Sequence, residues 1–238
     1  MEMKIKTIFS LVSVLSLFVL CACATDTNNG GFDSASVCPE EGTNAYGMPN
    51  RGSFVDERDG QEYKYVTIGE QVWMNDNLNF QTEYSLCIDR VDDSCDKYGR
   101  LYGLQYGIEY MRKTQNYDDT LSGFLIEKLV EDACPGGWHI PTRFEWETLV
   151  KMVGVENLQK DECWNFSAYR GGIARSYWAD GGKIGYKSTL TDAAWWSRTY
   201  SSMFSGRGGP MVYFVNFDDS DYLKQSENMF LFIRCVKD

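Results

Sequence analysis

The sequence is poor in histidine, a residue on which many hydrolytic and metal sites depend. It contains one histidine, and none of its eight cysteines belongs to a Cys-x-x-Cys pair. A Ser-His-Asp or Cys-His enzyme would therefore have to use His139, and a structural zinc site is disfavoured. His139 precedes Pro141 and a predicted helix cap, so we interpret it as a structural histidine hydrogen-bonded near the helix start. We expect a protein without catalytic or metal-binding residues, and not an enzyme.

The chain also lacks an apolar run long enough to cross a membrane. Its longest run, Ile8 to Leu20, has 13 residues built from Ile, Phe, Leu, Val and three serines, and Lys4 and Lys6 precede it. This length is too short for a transmembrane helix. A basic region followed by a short apolar region is typical of a secretory signal.

The residues after this run, Leu20-Cys21-Ala22-Cys23, resemble the lipobox that bacterial lipoprotein signal peptidase reads. The resemblance implies that residues 1–22 are removed and that Cys23 carries a diacylglyceryl group and acyl chains such as palmitate. Each buried CH₂ would contribute about 0.8 kcal/mol to membrane attachment. Ala24 in second position favours the outer membrane, with inner leaflet and cell surface both open. The alternative is ordinary secretion, with cleavage after Ala22 or Ala24.

Negative charge dominates the chain, whose formal net charge is −11. Removal of residues 1–22, which carry a net charge of +1 (two Lys, one Glu), would leave a mature net charge near −12. This charge argues against nucleic acid as a partner, because its phosphates require basic patches. Residues 23–53 are rich in Asn, Gly, Ser, Thr and Asp and predict a flexible tether. Residues 54–238 suit one domain with a hydrophobic core.

Six cysteines would remain in the exported domain, which permits up to three disulfides in fifteen formal pairings. A local bridge between Cys87 and Cys95 is the simplest of these, because only a short Asp-rich stretch separates them. The other four are Cys38, Cys134, Cys163 and Cys235.

Two local patterns predict secondary structure directly. Residues 62–68 and 71–74 flank Gly69-Glu70 and predict a β-hairpin. Thr142 and Glu145 have the spacing of a capping box. The helix that follows carries one apolar stripe and ends at Gly154, the stripe being formed by Trp146, Leu149, Val150 and Val153.

The remaining patterns are weaker. Residues 97–102 predict an extended aromatic segment that leads into a helix up to about Lys113, and Leu121 to Asp132 predicts another helix. After Ser167, short aromatic segments alternate with Gly turns, which predicts short antiparallel strands joined by long loops. A hairpin, two or three helices and a loop-rich antiparallel half together indicate an α+β domain.

A series of short motifs, in this order, closely resembles the Fibrobacter succinogenes major paralogous domain. They cover about residues 54–238 and are Asp59-Gly60-Gln61-Glu62-Tyr63, Ile68-Gly69-Glu70-Gln71-Val72-Trp73-Met74, Asn77-Leu78-Asn79, Tyr98-Gly99-Arg100-Leu101-Tyr102, Cys134-Pro135-Gly136-Gly137-Trp138-His139-Ile140-Pro141-Thr142, Glu145-Trp146, Trp195-Trp196-Ser197 and Ile233-Arg234-Cys235-Val236. The resemblance implies an exported protein with a C-type-lectin-like fold and a Cys134–Cys235 disulfide. Cys38 and Cys163 fall outside the shared motifs and either form a bridge or stay free.

The same resemblance places a ligand face in the variable half, residues 164–228. Aromatic rings can stack on sugars and carboxylates can accept hydrogen bonds from hydroxyls, so a neutral or cationic glycan is the expected ligand. The candidate residues are Tyr177, Trp178, Tyr200, Asp218, Asp219, Asp221 and Tyr222. The competing interpretation is that the rings fill the core. Calcium on Asn216 and the three aspartates is a weaker possibility, because their spacing is not that of an EF-hand loop.

The sequence thus predicts a non-catalytic, lipid-anchored envelope or surface protein that binds or adheres to a polysaccharide or another surface protein. The alternatives are an enzyme that acts on glycans and a purely structural envelope lipoprotein.

Overall fold

The computed structural model of the chain describes residues 32–88, 92–103, 132–160, 162–163, 166, 173–179, 183–189, 194–204, 210–216, 223–226 and 229–238. The predicted signal peptide and Cys23 lie outside these residues, as do the predicted helix after Gly103 and nearly all of Leu121 to Asp132. Within the described ranges, no helix is both long enough and apolar enough to span a membrane.

The described elements confirm an α+β domain. Its helices are α1 (Ser34–Val37), α2 (Asp92–Tyr98), α3 (Arg143–Val153) and α4 (Val155–Gln159). Its strands are β1 (Arg51–Val55), β2 (Glu62–Ile68), β3 (Gln71–Met74), β4 (Ser85–Leu86), β5 (Leu101–Tyr102), β6 (Trp138–His139), β7 (Ile173–Ala179), β8 (Lys183–Thr189), β9 (Ala194–Phe204), β10 (Pro210–Asn216), β11 (Leu223–Ser226), β12 (Met229–Phe232) and β13 (Val236–Lys237).

The strands form two sheets. The first has the order β1-β2-β3-β13-β6, and the second has the order β11-β10-β9-β12-β5-β4, with β7 paired to β12 and to β8. Among the described pairs, β9 and β12 are parallel, at Trp195 and Phe232, and the others are antiparallel. The last strands therefore join both sheets, because β12 belongs to the second and β13 to the first.

The predicted β-hairpin is confirmed. Strands β2 and β3 pair in register from Tyr65 opposite Met74 to Ile68 opposite Gln71. Gly69 begins the turn with φ 58°, and a Cβ there would collide with Met152 Sδ on α3. The left-handed backbone favours glycine at this position, and any larger residue would also have to displace the end of the Met152 side chain.

Helix α3 is also confirmed, together with its capping box. Thr142 Oγ1 accepts a hydrogen bond from Glu145 N at 3.2 Å, and Glu145 Oε2 accepts one from Thr142 N at 2.7 Å. Trp146, Leu149 and Val153 are buried. The predicted apolar stripe is therefore the face that packs on the sheet.

Alternation along the strands divides the core into two clusters. Tyr63, Tyr65 and Met74 belong to one cluster, whereas Val66 and Trp73 belong to the other. Strand β12 alternates in the same way, with Leu231 in the first cluster and Phe232 in the second. Successive side chains of a strand point to opposite faces, so buried strands contribute to both clusters.

The predicted tether of residues 23–53 is wrong from Phe32 onwards. Residues 32–53 contain α1 and most of β1, and Cys38 is fully buried. A disulfide from Cys38 to Cys163 and a bond from Gly69 N to Val37 O (2.7 Å) attach this segment to the domain. Its polar composition misled the prediction, because the disulfide, backbone hydrogen bonds and a small number of apolar side chains such as Phe32 and Met48 attach it to the domain.

Two further expectations are corrected. Lys97 and Tyr98 end helix α2 instead of extending the strand, which is limited to Leu101–Tyr102. Strand β9 is longer than predicted, with 11 residues, and β8 was missed altogether. Strand β8 has no aromatic run, and its seven-residue register with β7 fixes it through backbone pairing.

The structure confirms the predicted disulfides Cys87–Cys95 and Cys134–Cys235. It also decides the alternative left open for Cys38 and Cys163, which form a third disulfide.

Candidate functional site

The ligand face predicted from the sequence lies largely outside the described residues. Asp218, Asp219, Asp221 and Tyr222 are not described, and of Asn216 only the backbone, at the end of β10, is described. The backbones of Tyr177 and Trp178 lie in β7, opposite Gly185 and Ile184, and that of Tyr200 lies in β9, opposite Val212. The predicted face therefore stays a prediction.

A polar groove of about 650 Å³ lies elsewhere in the domain. It is bounded by the start of β2, the segment after β3, the C-terminal half of α2 and Arg234, which lies between β12 and β13. Its lining residues are Gln61, Glu62, Tyr63, Asn75, Asp76, Asn77, Asn79, Cys95, Asp96, Lys97, Tyr98, Gly99 and Arg234.

The Asn77 side chain links three walls of this groove. Its Oδ1 accepts hydrogen bonds from Trp195 Nε1 at 2.7 Å and from Arg234 Nη2 at 2.9 Å. Its Nδ2 donates to Tyr98 O at 2.8 Å. The Asn77 side chain thus orients Arg234 and holds the end of α2 through hydrogen bonds that use both of its polar atoms.

Arg234 is 2% exposed, although it lines the groove. Its guanidinium lies 4.6 Å from the ring centre of Phe166 and 5.4 Å from that of Trp195. Cation–π contacts with these two rings and the hydrogen bond to Asn77 Oδ1 stabilise its positive charge. The lining of the groove therefore includes a cation that is held in place by aromatic rings and a hydrogen bond.

The backbone around Asn77 explains why the walls meet at this point. Leu78 N donates to Ile233 O and Arg100 N donates to Leu78 O, at 2.8 and 2.9 Å. Gly99 has φ 80°, and a Cβ there would lie 2.9 Å from Asn77 O. Only glycine permits this approach, which brings the end of α2 against the segment after β3.

The groove's charges are mixed. Glu62, Asp76 and Asp96 contribute carboxylates, and Lys97 and Arg234 contribute cations. Three carboxylates and two cations leave the groove without a strong electric field of one sign. Such a lining does not favour a polyanionic ligand, and it does not need a cationic ligand to balance it.

Tyr63 contributes a neutral hydroxyl to the same groove. Burial raises the pKa of Tyr63 to about 12, so the phenol stays protonated, and its oxygen accepts a hydrogen bond from Asn79 N at 3.0 Å. The lining thus offers amides, carboxylates and a phenol, which can bind hydroxyl groups as donors and as acceptors.

The single histidine is held between two carboxylates. His139 Nε2 lies 2.9 Å from Glu145 Oε1, and Nδ1 lies 2.5 Å from Asp238 Oδ1. Burial opposes protonation of the ring, but the hydrogen bonds to the two carboxylates outweigh it and raise the pKa of His139. Burial likewise acts against ionisation of Glu145, yet the bonds from His139 and Thr142 lower its pKa to about 2.

These contacts confirm the interpretation of His139 as hydrogen-bonded near the helix start. Both ring nitrogens therefore lie within hydrogen-bond distance of a carboxylate. Among the residues with described side chains, no group of three or more His, Cys, Asp or Glu is arranged to hold a metal ion.

Sequence reasoning missed the groove, although its signal was available. The motifs Asn77-Leu78-Asn79, Tyr98-Gly99-Arg100 and Ile233-Arg234-Cys235 are separate in the sequence, and each was recognised only as part of the family resemblance. In the structure the three motifs meet around the Asn77 side chain. The available signal was that each of these separate motifs contains a polar residue, namely Asn77, Tyr98 and Arg234.

Comparison with known proteins gives one match. The model of the Fibrobacter succinogenes major domain matches residues 66–237. No curated protein and no solved structure matches the chain. Because the match covers well over half of the sequence and includes Asn77, Tyr98 and Arg234, the chain belongs to this family.

Proposed function

We propose that this member of the Fibrobacter succinogenes major domain family is an exported, lipid-anchored, non-catalytic binding module. Its ligand is a neutral polysaccharide, and another surface protein is the alternative. The observation that carries the proposal is the groove beside α2, in which internal hydrogen bonds orient the Asn77 and Arg234 side chains before any ligand arrives.

The groove has the size and chemistry for part of a sugar chain. Its volume of about 650 Å³ lies within the range of roughly 300–1,000 Å³ typical of small-ligand sites. Gln61, Asp96 and Lys97 supply donors and acceptors that match hydroxyls. Preorganised polar groups bind without a large ordering cost, which favours recognition of a neutral, hydroxyl-rich ligand.

The rest of the chain supports a role outside the cytoplasm. Three disulfides suit an oxidising compartment. Leu20-Cys21-Ala22-Cys23 provides the lipidation signal, with Cys23 as the anchor. A C-type-lectin-like relationship accords with an α+β domain of antiparallel sheets and few helices.

The experiment is a glycan array probed with the full-length lipoprotein in detergent, followed by affinity measurements on single variants. Asp96→Ala and Lys97→Ala remove exposed groups of the groove, and Asp93→Ala is the matched control, since Asp93 is exposed on the same helix but does not line the groove. We expect the first two to weaken binding at least about tenfold, or roughly 1.4 kcal/mol, and the control to bind normally.

Three results would contradict the proposal. Turnover of a bound glycan would indicate an enzyme, and an array without hits, together with an abundant envelope location, would indicate a structural protein. Loss of binding in Trp178→Ala, Tyr200→Ala or Tyr222→Ala with unchanged stability, and none in the groove variants, would move the site to the face first predicted from the sequence.

A further inference from the structure

Helix α2 forms one wall of the groove but has almost no hydrophobic anchor. Its sequence is Asp-Asp-Ser-Cys-Asp-Lys-Tyr. Among its described side chains only Cys95 is fully buried, at 3% exposed, and Tyr98 is partly packed against the core. Isolated helices of this length are not stable in water. The position of α2 must therefore come from its attachments.

One of these attachments is covalent. Cys95 is bonded to Cys87, which is itself buried at 6% exposed. Other attachments are the packing of Tyr98 and hydrogen bonds, including those from Asn77 Nδ2 to Tyr98 O at 2.8 Å and from Ser94 Oγ to Ile88 O at 2.7 Å. The disulfide is thus the strongest tie between the middle of the helix and the core.

The same helix supplies four consecutive lining residues, Cys95–Tyr98, and Gly99, which follows the helix directly, is a fifth. A shift of α2 would displace Asp96 and Lys97 together, because both follow directly on Cys95. We infer that the Cys87–Cys95 disulfide positions this wall and makes ligand binding by the groove sensitive to reduction. The effect on affinity rests on the proposed function; the effect on α2 does not.

The chemistry is thiol–disulfide exchange with a dithiol reductant, either a small dithiol or a thioredoxin-like protein. One reductant thiolate attacks a sulfur of the Cys87–Cys95 bond and forms a mixed disulfide, releasing the other cysteine as a thiolate that takes up a proton. The second reductant thiolate then breaks the mixed disulfide. Two cysteines are reduced, and the reductant becomes a disulfide.

The other two disulfides differ in how they can be reached. Cys134–Cys235 and Cys38–Cys163 span 101 and 125 residues; Cys235 and Cys38 are both 0% exposed, and their partners Cys134 and Cys163 are 5% and 1% exposed. All four of these cysteines belong to the two core clusters, whereas Cys87 and Cys95 belong to neither, so reaching the longer-range disulfides requires opening of the core. Reaching Cys95 requires only that a seven-residue helix open locally, which costs less free energy than global unfolding.

The test is reduction of the folded, full-length lipoprotein with increasing dithiothreitol, with alkylation and peptide mapping at each step. Amide hydrogen exchange is followed in parallel. We expect Cys87 and Cys95 to be alkylated first, exchange in residues 95–99 to rise at least about tenfold, and exchange in α3 to stay unchanged. A Cys87→Ser/Cys95→Ser variant should reproduce this exchange without reductant.

Two results would overturn the inference: reduction of Cys134–Cys235 before Cys87–Cys95, or unchanged protection of residues 95–99 once the bond is broken. Hydrogen exchange is measured without a ligand, so its outcome is independent of the glycan array. If the array identifies a ligand, the same reduction should weaken its binding at least about tenfold. Unchanged affinity after complete reduction of this bond would also refute the inference.

Discussion

Replacing Glu145 with Gln tests whether the charge on the α3 cap, rather than the cap itself, stabilises the domain. Glutamine is also found at this position of capping boxes and retains an acceptor for Thr142 N. The substitution therefore removes mainly the ionic interaction with His139, whose Nε2 lies 2.9 Å away. It separates two contributions that an alanine would remove together.

The magnitude follows from the pKa of Glu145, which is lowered from 4.5 to about 2. At about 1.36 kcal/mol per pKa unit, the folded environment stabilises the ionised carboxylate by roughly 3 kcal/mol. Hydrogen bonds from Thr142 account for part of this and survive in the variant. We expect Glu145→Gln to lower the free energy of unfolding by about 1–2 kcal/mol where both partners are charged.

The loss should depend on pH in both directions. The folded pKa of Glu145 is depressed, so its contribution is present above 4.5 and is lost as pH falls towards about 2. The folded pKa of His139 is raised, so its contribution is present below 6.5 and is lost as pH rises through the folded value. The difference between wild type and variant should therefore be greatest between these limits.

The assay is guanidinium unfolding, followed by tryptophan fluorescence with disulfides intact, at about pH 3, 5.5 and 8.5. Glu147→Gln is the control, because Glu147 is half-exposed and forms an i,i+4 pair with Arg143 at 2.7 Å. Such surface pairs contribute only about 0.3–0.5 kcal/mol. An equal loss in both variants, or a loss at Glu145 that does not change with pH, would refute the reasoning.

Three further predictions follow from burial and covalent linkage. Replacing both Cys134 and Cys235 with Ser should lower the free energy of unfolding by about 4–5 kcal/mol, since their bond closes a long loop; an unchanged denaturation midpoint would contradict this. Trp146→Ala should lower the free energy of unfolding by about 3–5 kcal/mol in the same assay. Phe144→Ala should change it by less than about 0.5 kcal/mol, because Phe144 is 73% exposed. Equal losses in the two variants would mean that the buried face of α3 is wrongly assigned. Cys23→Ser should prevent lipidation and release soluble or precursor protein, and a processed variant that still partitions into detergent like the wild type would disprove the anchor.

Short-range patterns were sufficient for the hairpin and the capped helix. Gly69 with its flanking strands, and Thr142 with Glu145, determine their structure through contacts a few residues apart. Such signals can be read from a single chain, because turn geometry and capping depend on neighbours in sequence. The Cys134–Cys235 disulfide came from family resemblance instead, since six cysteines allow fifteen pairings.

Composition misled the prediction where long-range contacts compensate for it. The segment around Cys38 is polar, yet a disulfide across 125 residues and backbone hydrogen bonds hold it in the fold. Strand β8 has no aromatic run, and its pairing with β7 makes it a strand. In both cases the stabilising partner lies outside the segment whose composition was judged.

By itself, the sequence determined the fold class, the family, the hairpin and the capped helix, because each depends on local order or on motifs in series. Only the tertiary structure decided where the groove lies. Asn77 is hydrogen-bonded to Tyr98, 21 residues away in sequence, and to Arg234, 157 residues away. These residues come into contact only when the segment after β3, α2 and the segment ahead of β13 are packed together. Local sequence patterns carry no information about these long-range contacts, because strand register and core packing determine them.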